Sequence, residues 1–267
     1  MTKHEPRKVA RVYSILDKLN VHKHNAFKTI VFSDTILVYN PEIAKTDQDR
    51  DYLVWYLIEF AEDLHHRLTG QDIYFRAILT SGSFNHYQLE NINCFFGLAL
   101  VNAYLSEKNI PSLGLFIDNH CNKHNLYFKV SPFDKDLSFV YLNRSLEDLN
   151  KLTGGYYPSK DSILSDLAPY VPWQVNFLKD LYDKMRGHDS PIVRTKFLTA
   201  WDFYAKRYPS LVKALTESNF SLSSLAPENT WIDESKAMEN DIKRYKRIGS
   251  GTQLSIQLRK QVRQKKS

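Results

Sequence analysis

Apolar positions recur at helical spacing after Pro6, with Val9, Val12, Tyr13, Leu16 and Leu19 on one face, so the chain opens on an amphipathic helix and not on a strand. Residues 27–32 and 35–40 are two short runs rich in β-branched and aromatic side chains. Only Ser33-Asp34 parts them, which predicts a tight hairpin with Asp34 at its tip. Leu53, Leu57, Phe60, Ala61, Leu64 and Leu68 then mark a long amphipathic helix ending near Gly70. A strand over about 72–80 closes on Ser81-Gly82. A polar excursion over 85–93, a helix over about 97–108 and a buried strand over 113–118 follow. Residues 127–130 and 139–142 predict two further strands.

This order predicts an α+β domain over residues 1–143, a sheet with helices packed on one face. Past Asn143 helical patterns take over: residues 163–167, then Val175, Leu178, Leu181, Tyr182 and Met185, then Val193, Phe197, Ala200, Trp201 and Tyr204. Residues 144–218 therefore read as a helical extension, with Trp173 and Phe177 as core residues. Residues 219–267 read as a Ser/Pro/Asn-containing linker and a partly disordered basic tail.

Composition changes this picture little, because 43% hydrophobic and 25% charged residues are ordinary for a globular protein. No run approaches the roughly eighteen apolar residues of a spanning helix, and residues 1–8 are polar and charged. A cytoplasmic protein without membrane association is the expectation. Charge adds more. From Lys236 onward ten Lys or Arg oppose only Glu239 and Asp241, so the tail holds +8 of a net +6 and the remainder of the chain is −2. Nucleic acid is therefore not the expected partner, apart from weak attraction to the tail. The two cysteines, Cys94 and Cys121, have no paired spacing, and His120, Cys121 and His124 read as solvated loop residues.

Asp34 is the residue best placed for chemistry. A carboxylate at the tip of a hairpin between apolar strands can hold a hard cation, although Ser-Asp is also a common turn dipeptide. Its context is Lys28-Thr-Ile-Val-Phe-Ser-Asp34-Thr-Ile-Leu-Val, followed by Arg76-Ala-Ile-Leu-Thr-Ser-Gly82 and by Cys94-Phe-Phe-Gly97-Leu-Ala-Leu-Val-Asn-Ala103-Tyr. In this order and spacing the three segments resemble the class III nucleotidyl cyclase catalytic domain, over roughly a third of the chain. The nearest texture is that of the bacterial pyrimidine (uridylate or cytidylate) cyclases of anti-phage defence and their relatives.

The resemblance implies a cyclase-like, ferredoxin-like antiparallel sheet and a homodimer with the site at the subunit interface. It also implies Mg²⁺ or Mn²⁺ held in part by Asp34, and a nucleoside triphosphate as substrate. Ring closure there sends the ribose 3′-hydroxyl onto the α-phosphate as pyrophosphate leaves, with two cations on two aspartates. Ser33, Lys28, Arg76, Cys94 and Asn102 are the implied nucleotide-binding positions. Lys28 points to adenine and Cys94 to guanine, so no base follows from them. The strand that carries the family's other aspartate has no counterpart in residues 1–26, where Asp17 sits within the helical pattern. Aligning on Gly97 puts Val101 and Leu105 where many cyclases have Asn and Arg, and Asn102 lies about a hundred degrees away round the helix. Two readings stay open: a cyclase, completed by an upstream strand, or a cyclase-fold protein that binds nucleotide or a partner cyclase as a regulator.

Overall fold

The computed structural model describes residues 6–153, 168–225 and 231–247. Helix α1 (Pro6–Leu16) leads to the hairpin β1 (Lys28–Phe32) and β2 (Thr35–Tyr39), and then to α2 (Asp47–Leu68). The Ser33-Asp34 turn is made by Ser33 at φ +58°. The two-residue loop puts Phe32 opposite Thr35 and Lys28 opposite Tyr39. Thr46 and Asp49 start α2 with a reciprocal capping box, the Thr46 hydroxyl accepting from the Asp49 N–H and the Asp49 carboxylate from the Thr46 N–H. Those three elements match the hydrophobic pattern closely.

Beyond α2 the chain forms β3 (Arg76–Leu79), a second hairpin of β4 (Asn85–Gln88) and β5 (Asn93–Phe96), α3 (Leu98–Asn109) and β6 (Gly114–Asp118). After the single turn α4 (Asn119–Asn122) come β7 (Val130–Pro132) and β8 (Leu137–Val140). The main sheet has the order β3-β6-β8-β7, and the two hairpins stand outside it. The polar excursion is thus a hairpin in its own right.

The molecule is α+β, but the expected antiparallel sheet with helices on one face is corrected in two respects. First, β3 and β6 are parallel. Their connection contains the β4–β5 hairpin and α3, a crossover long enough to return the chain to the same end. Second, both faces of the sheet are covered. Leu115, Ile117 and Val140 pack on Val54, Ile58 and Ala61 of α2, whereas Phe116 and Phe139 point the other way. They meet α6 (Val171–Gly187) and α7 (Pro191–Arg207), where Phe139 stacks on Phe203 at 4.2 Å. A Leu-Phe-Ile run buries successive side chains on opposite faces and so needs cover on each.

The largest core cluster therefore runs across residue 143, from β6 and β8 through α5 (Arg144–Thr153) and α6–α7 to α8 (Pro209–Glu217). Glu147 of α5 clasps Arg207 of α7 with bonds of 2.8 and 2.9 Å and accepts from the Tyr208 hydroxyl at 3.0 Å. The Arg207 guanidinium also lies 4.9 Å from the Tyr141 ring centre. Glu147→Ala strands a half-buried guanidinium and a phenol. It is expected to cost about 2 kcal/mol, read as a lower denaturation midpoint at unchanged slope.

The expected linker and tail also needs revision. Helix α9 (Ile232–Arg247) docks beside α1 and α6, with Trp231 and Tyr245 buried. Aromatic anchors seat its apolar side while its lysines and arginines stay in water. The expected helix at 163–167, residues 226–230 of the linker and the tail beyond residue 247 lie outside the described residues. No described helix is long and apolar enough to cross a membrane.

Candidate functional site

Asp34 stands exposed at the tip of the first hairpin. Its neighbour Ser33 is steadied from α1, where the Tyr13 hydroxyl donates a short hydrogen bond to the Ser33 carbonyl. Nothing in the sequence pattern marked Tyr13 for this role; it was one more apolar-face residue. Lys28 lies at the opposite, open end of the hairpin, paired with Tyr39. A strand of this length separates the two residues by roughly 15 Å, so one nucleotide base held at Lys28 is far from a cation held at Asp34.

The other two motif segments are welded together. Gly82 (φ +153°) passes so close to α3 that an added Cβ would lie 3.1 Å from the Ala99 nitrogen. Gly97 (φ +147°) passes still closer to Ser83 and lies 2.8 Å, measured from an added Cβ, from the Phe84 Cα. Ser83 then caps α3, its hydroxyl accepting from the Leu98 N–H and its carbonyl from the Ala99 N–H, both at 3.2 Å. These first-turn donors, which a phosphate would otherwise find at a helix start, are engaged by Ser83.

Arg76 joins the same unit. Its guanidinium forms a short ion pair with Glu107 and donates to the Ile110 carbonyl, which ties β3 to the far end of α3. Burial lowers its pKa from the usual arginine value. Its two terminal nitrogens are engaged at the end of α3, while its buried Nε has no hydrogen-bond partner among the described residues. Cys94 is half-buried on β5 opposite Tyr87, and Asn102 is exposed on α3. Asn102 therefore shares a helix with Gly97 but not a cluster with Asp34.

The first hairpin reaches this unit through Tyr39, whose ring lies 4.5 Å from Phe84 and whose hydroxyl meets His86 Nδ1 at 2.8 Å. That contact is at the hairpin end remote from Asp34. Within one chain, then, the carboxylate and the α3 start occupy opposite ends of β2.

Asp118, at the end of β6, is a carboxylate outside the three motif segments. It accepts from the Thr80 hydroxyl at 2.5 Å and the Ser81 N–H at 3.3 Å, and its other oxygen caps α4 through the Cys121 N–H at 2.6 Å. The Asp-Asn-His-Cys sequence is a legible N-cap, but its hold on Thr80 and Ser81 follows only from the β3–β6 pairing. In the His120, Cys121 and His124 group, burial pushes the Cys121 thiol up to about 12, and His124 Nδ1 meets Asp51 at 2.8 Å. Among the described residues no three His, Cys, Asp or Glu side chains gather as a metal-holding group. No protein-family model, no curated protein and no solved structure matches this chain.

Proposed function

We propose that this chain is a nucleotidyl-cyclase-like protein that takes a nucleoside triphosphate, a pyrimidine one by preference, toward a 3′,5′-cyclic nucleotide and pyrophosphate in an assembled site. The observation that carries the reading is the placement of Asp34 at an exposed, braced hairpin tip, in one molecule with the welded segments 76–82 and 94–104. Their separation within one chain favours a site shared between two copies, with Asp34 of one facing α3 of the other. Leu98, Val101, Tyr104 and Leu105 leave α3 with a broad exposed apolar surface for such a contact.

Asp34 would hold part of the Mg²⁺ or Mn²⁺ that the resemblance implies, and a pair of cations would need a further carboxylate beside it. No catalytic step is assigned to Asp34 by itself. A second reading, a non-catalytic protein that binds nucleotide or a partner cyclase as a regulator, is favoured by the engagement of Arg76 with Glu107.

Pyrophosphate release from UTP, CTP, ATP and GTP with Mn²⁺, run beside nucleotide binding, tests both. The chain alone is expected to bind nucleotide in Mn²⁺ with release at background, and Asp34→Ala is expected to weaken that binding about tenfold, or 1.4 kcal/mol. Release that Asp34→Ala abolishes would mean the site completes itself. Binding indifferent to Asp34→Ala and to Mn²⁺ would remove the metal role and leave the regulator.

A further inference from the structure

β7 ends the main sheet at the edge away from β3, the strand against which α3 packs. Beside it α5 and α7 leave an open cleft of about 650 Å³, a size that suits a small organic molecule. Thr199, Asp202, Phe203 and Lys206 line it from α7, at the i, i+3, i+4 and i+7 spacing of one helix face, and Glu147 and Asn150 line it from α5. None of the described residues that line it belongs to the segments 28–38, 76–82 and 94–104.

The floor of the cleft is aromatic. Phe203 lies flat on Phe139, the rings 4.2 Å apart and 5° from parallel, and the ring surface that Phe139 leaves uncovered looks into the cleft beside Phe133. The charges at the rim cancel in pairs. Lys206 holds Asp202 at 2.7 Å, and Arg207 is clasped by Glu147. Phe203, Lys206 and Arg207 also lie in the last turns of α7, and the carbonyl end of a helix disfavours an anion. A phosphate or carboxylate entering the cleft thus meets no uncompensated cation.

The hydroxyl protons set the polarity of the floor. Tyr141 donates its single proton to the Phe203 carbonyl at 3.1 Å, so the Ser131 hydroxyl, 2.8 Å away, donates to the Tyr141 oxygen. Ser131 Oγ therefore turns only lone pairs toward the cleft. Arg207 spends Nε and Nη2 on Glu147 and keeps its Nη1 donors, and Asn150 adds an amide that both gives and accepts. Ser131 and Arg207 are neighbours through Tyr141, the first at its hydroxyl and the second with its guanidinium 4.9 Å from the ring centre.

We propose that this cleft binds a small, neutral, planar aromatic molecule with an amide or lactam edge. Its ring lies on Phe203, its N–H meets Ser131 Oγ, and its C=O accepts from Arg207 Nη1 or Asn150. The neutral rim selects against the charged relatives of such a molecule, and the acceptor and donor side by side select against purely apolar ones. The inference stands whether or not the cyclase reading does, because the two share no described residue.

Quinoline-3-carboxamide, quinoline-3-carboxylate and quinoline itself share a ring and differ in the edge, so titrating each into the full chain and following amide shifts tests the proposal. The carboxamide is expected to saturate with a Kd of about 1 mM or tighter, with shifts centred on residues 131–133 and 199–207. It should bind at least about tenfold tighter than the carboxylate. Ser131→Ala should weaken the carboxamide about fivefold and leave quinoline unchanged. Thr199→Trp, which sets an indole into the cleft from α7, should abolish binding at an unchanged denaturation midpoint. Should that variant lower the midpoint, the Ser131→Ala comparison decides. A carboxylate that binds as tightly as the carboxamide, shifts centred elsewhere, equal losses for carboxamide and quinoline in Ser131→Ala, or no saturation at a few millimolar carboxamide would each overturn the proposal.

Discussion

Gly97→Ala is expected to detach α3, accelerating amide exchange across Leu98–Asn109 by about a hundredfold while amides of β6 and β8 hold their rates. Gly97 has φ +147°, a conformation open to glycine and costing other residues of order 1–3 kcal/mol. The new methyl would also run into Ser83, the residue that caps α3 through its hydroxyl and carbonyl. Backbone neighbours cannot swing aside as a side-chain tip can, so Ser83 must move and the cap goes with it, at about 1 kcal/mol more. The sum is about 3 kcal/mol. It falls on a helix with no buried side chain, so the helix opens locally and the core stays closed. Unchanged exchange across α3 in the variant would show that the Gly97 approach to Ser83 does not anchor the helix.

Acidification from pH 7 to pH 4 is expected to remove about 3 kcal/mol of stability through His65. This imidazole lies between α2 and α6, edge-on to Phe177 at 4.4 Å, and its Nε2 has no partner among the described residues. Burial first, and the neighbouring His66 second, lower its pKa from 6.5 to about 4. Above pH 6.5 the ring is neutral folded or unfolded and the full stability is present. As pH falls below 6.5 the unfolded chain takes up a proton that the folded chain refuses until about 4, so the loss accumulates between those values. His66, also lowered chiefly by burial, acts in the same direction. Glu62 and Asp180, whose carboxyls burial raises, act oppositely at the acid end. His65→Leu isolates the single group: its stability should fall less steeply than the parent's over this range, measured by denaturant titration at each pH. Parallel curves for the two proteins would remove His65 from the acid response.

The candidate site was half legible. Ser33-Asp34 between two apolar runs is a turn by local chemistry, and it forms at the stated residues with Asp34 at its tip. Gly82 and Gly97 were visible as motif glycines, and their positive φ values show why no other residue serves there. Arg76 was legible as a strand residue but not as the partner of Glu107 and Ile110, because those lie at the far end of a helix whose docking depends on Gly82 and Gly97. The apolar exposure of α3 was hidden as well, since Leu98, Val101 and Leu105 look like core positions in any periodicity plot.

By itself the amino-acid sequence determined the elements whose causes lie within a few residues: the hairpin, the capped start of α2, and the apolar strand β6. Turn dihedrals, caps and side-chain period act over short stretches of chain and need no partner to be defined. Only the tertiary structure decided that β3 runs parallel to β6, that helices cover both faces of the sheet, that α9 docks by Trp231 and Tyr245, and that Asp34 and α3 lie at opposite ends of β2. Strand partners and helix faces are chosen by burial shared among segments tens of residues apart, and a one-dimensional pattern records that each needs cover without recording which supplies it.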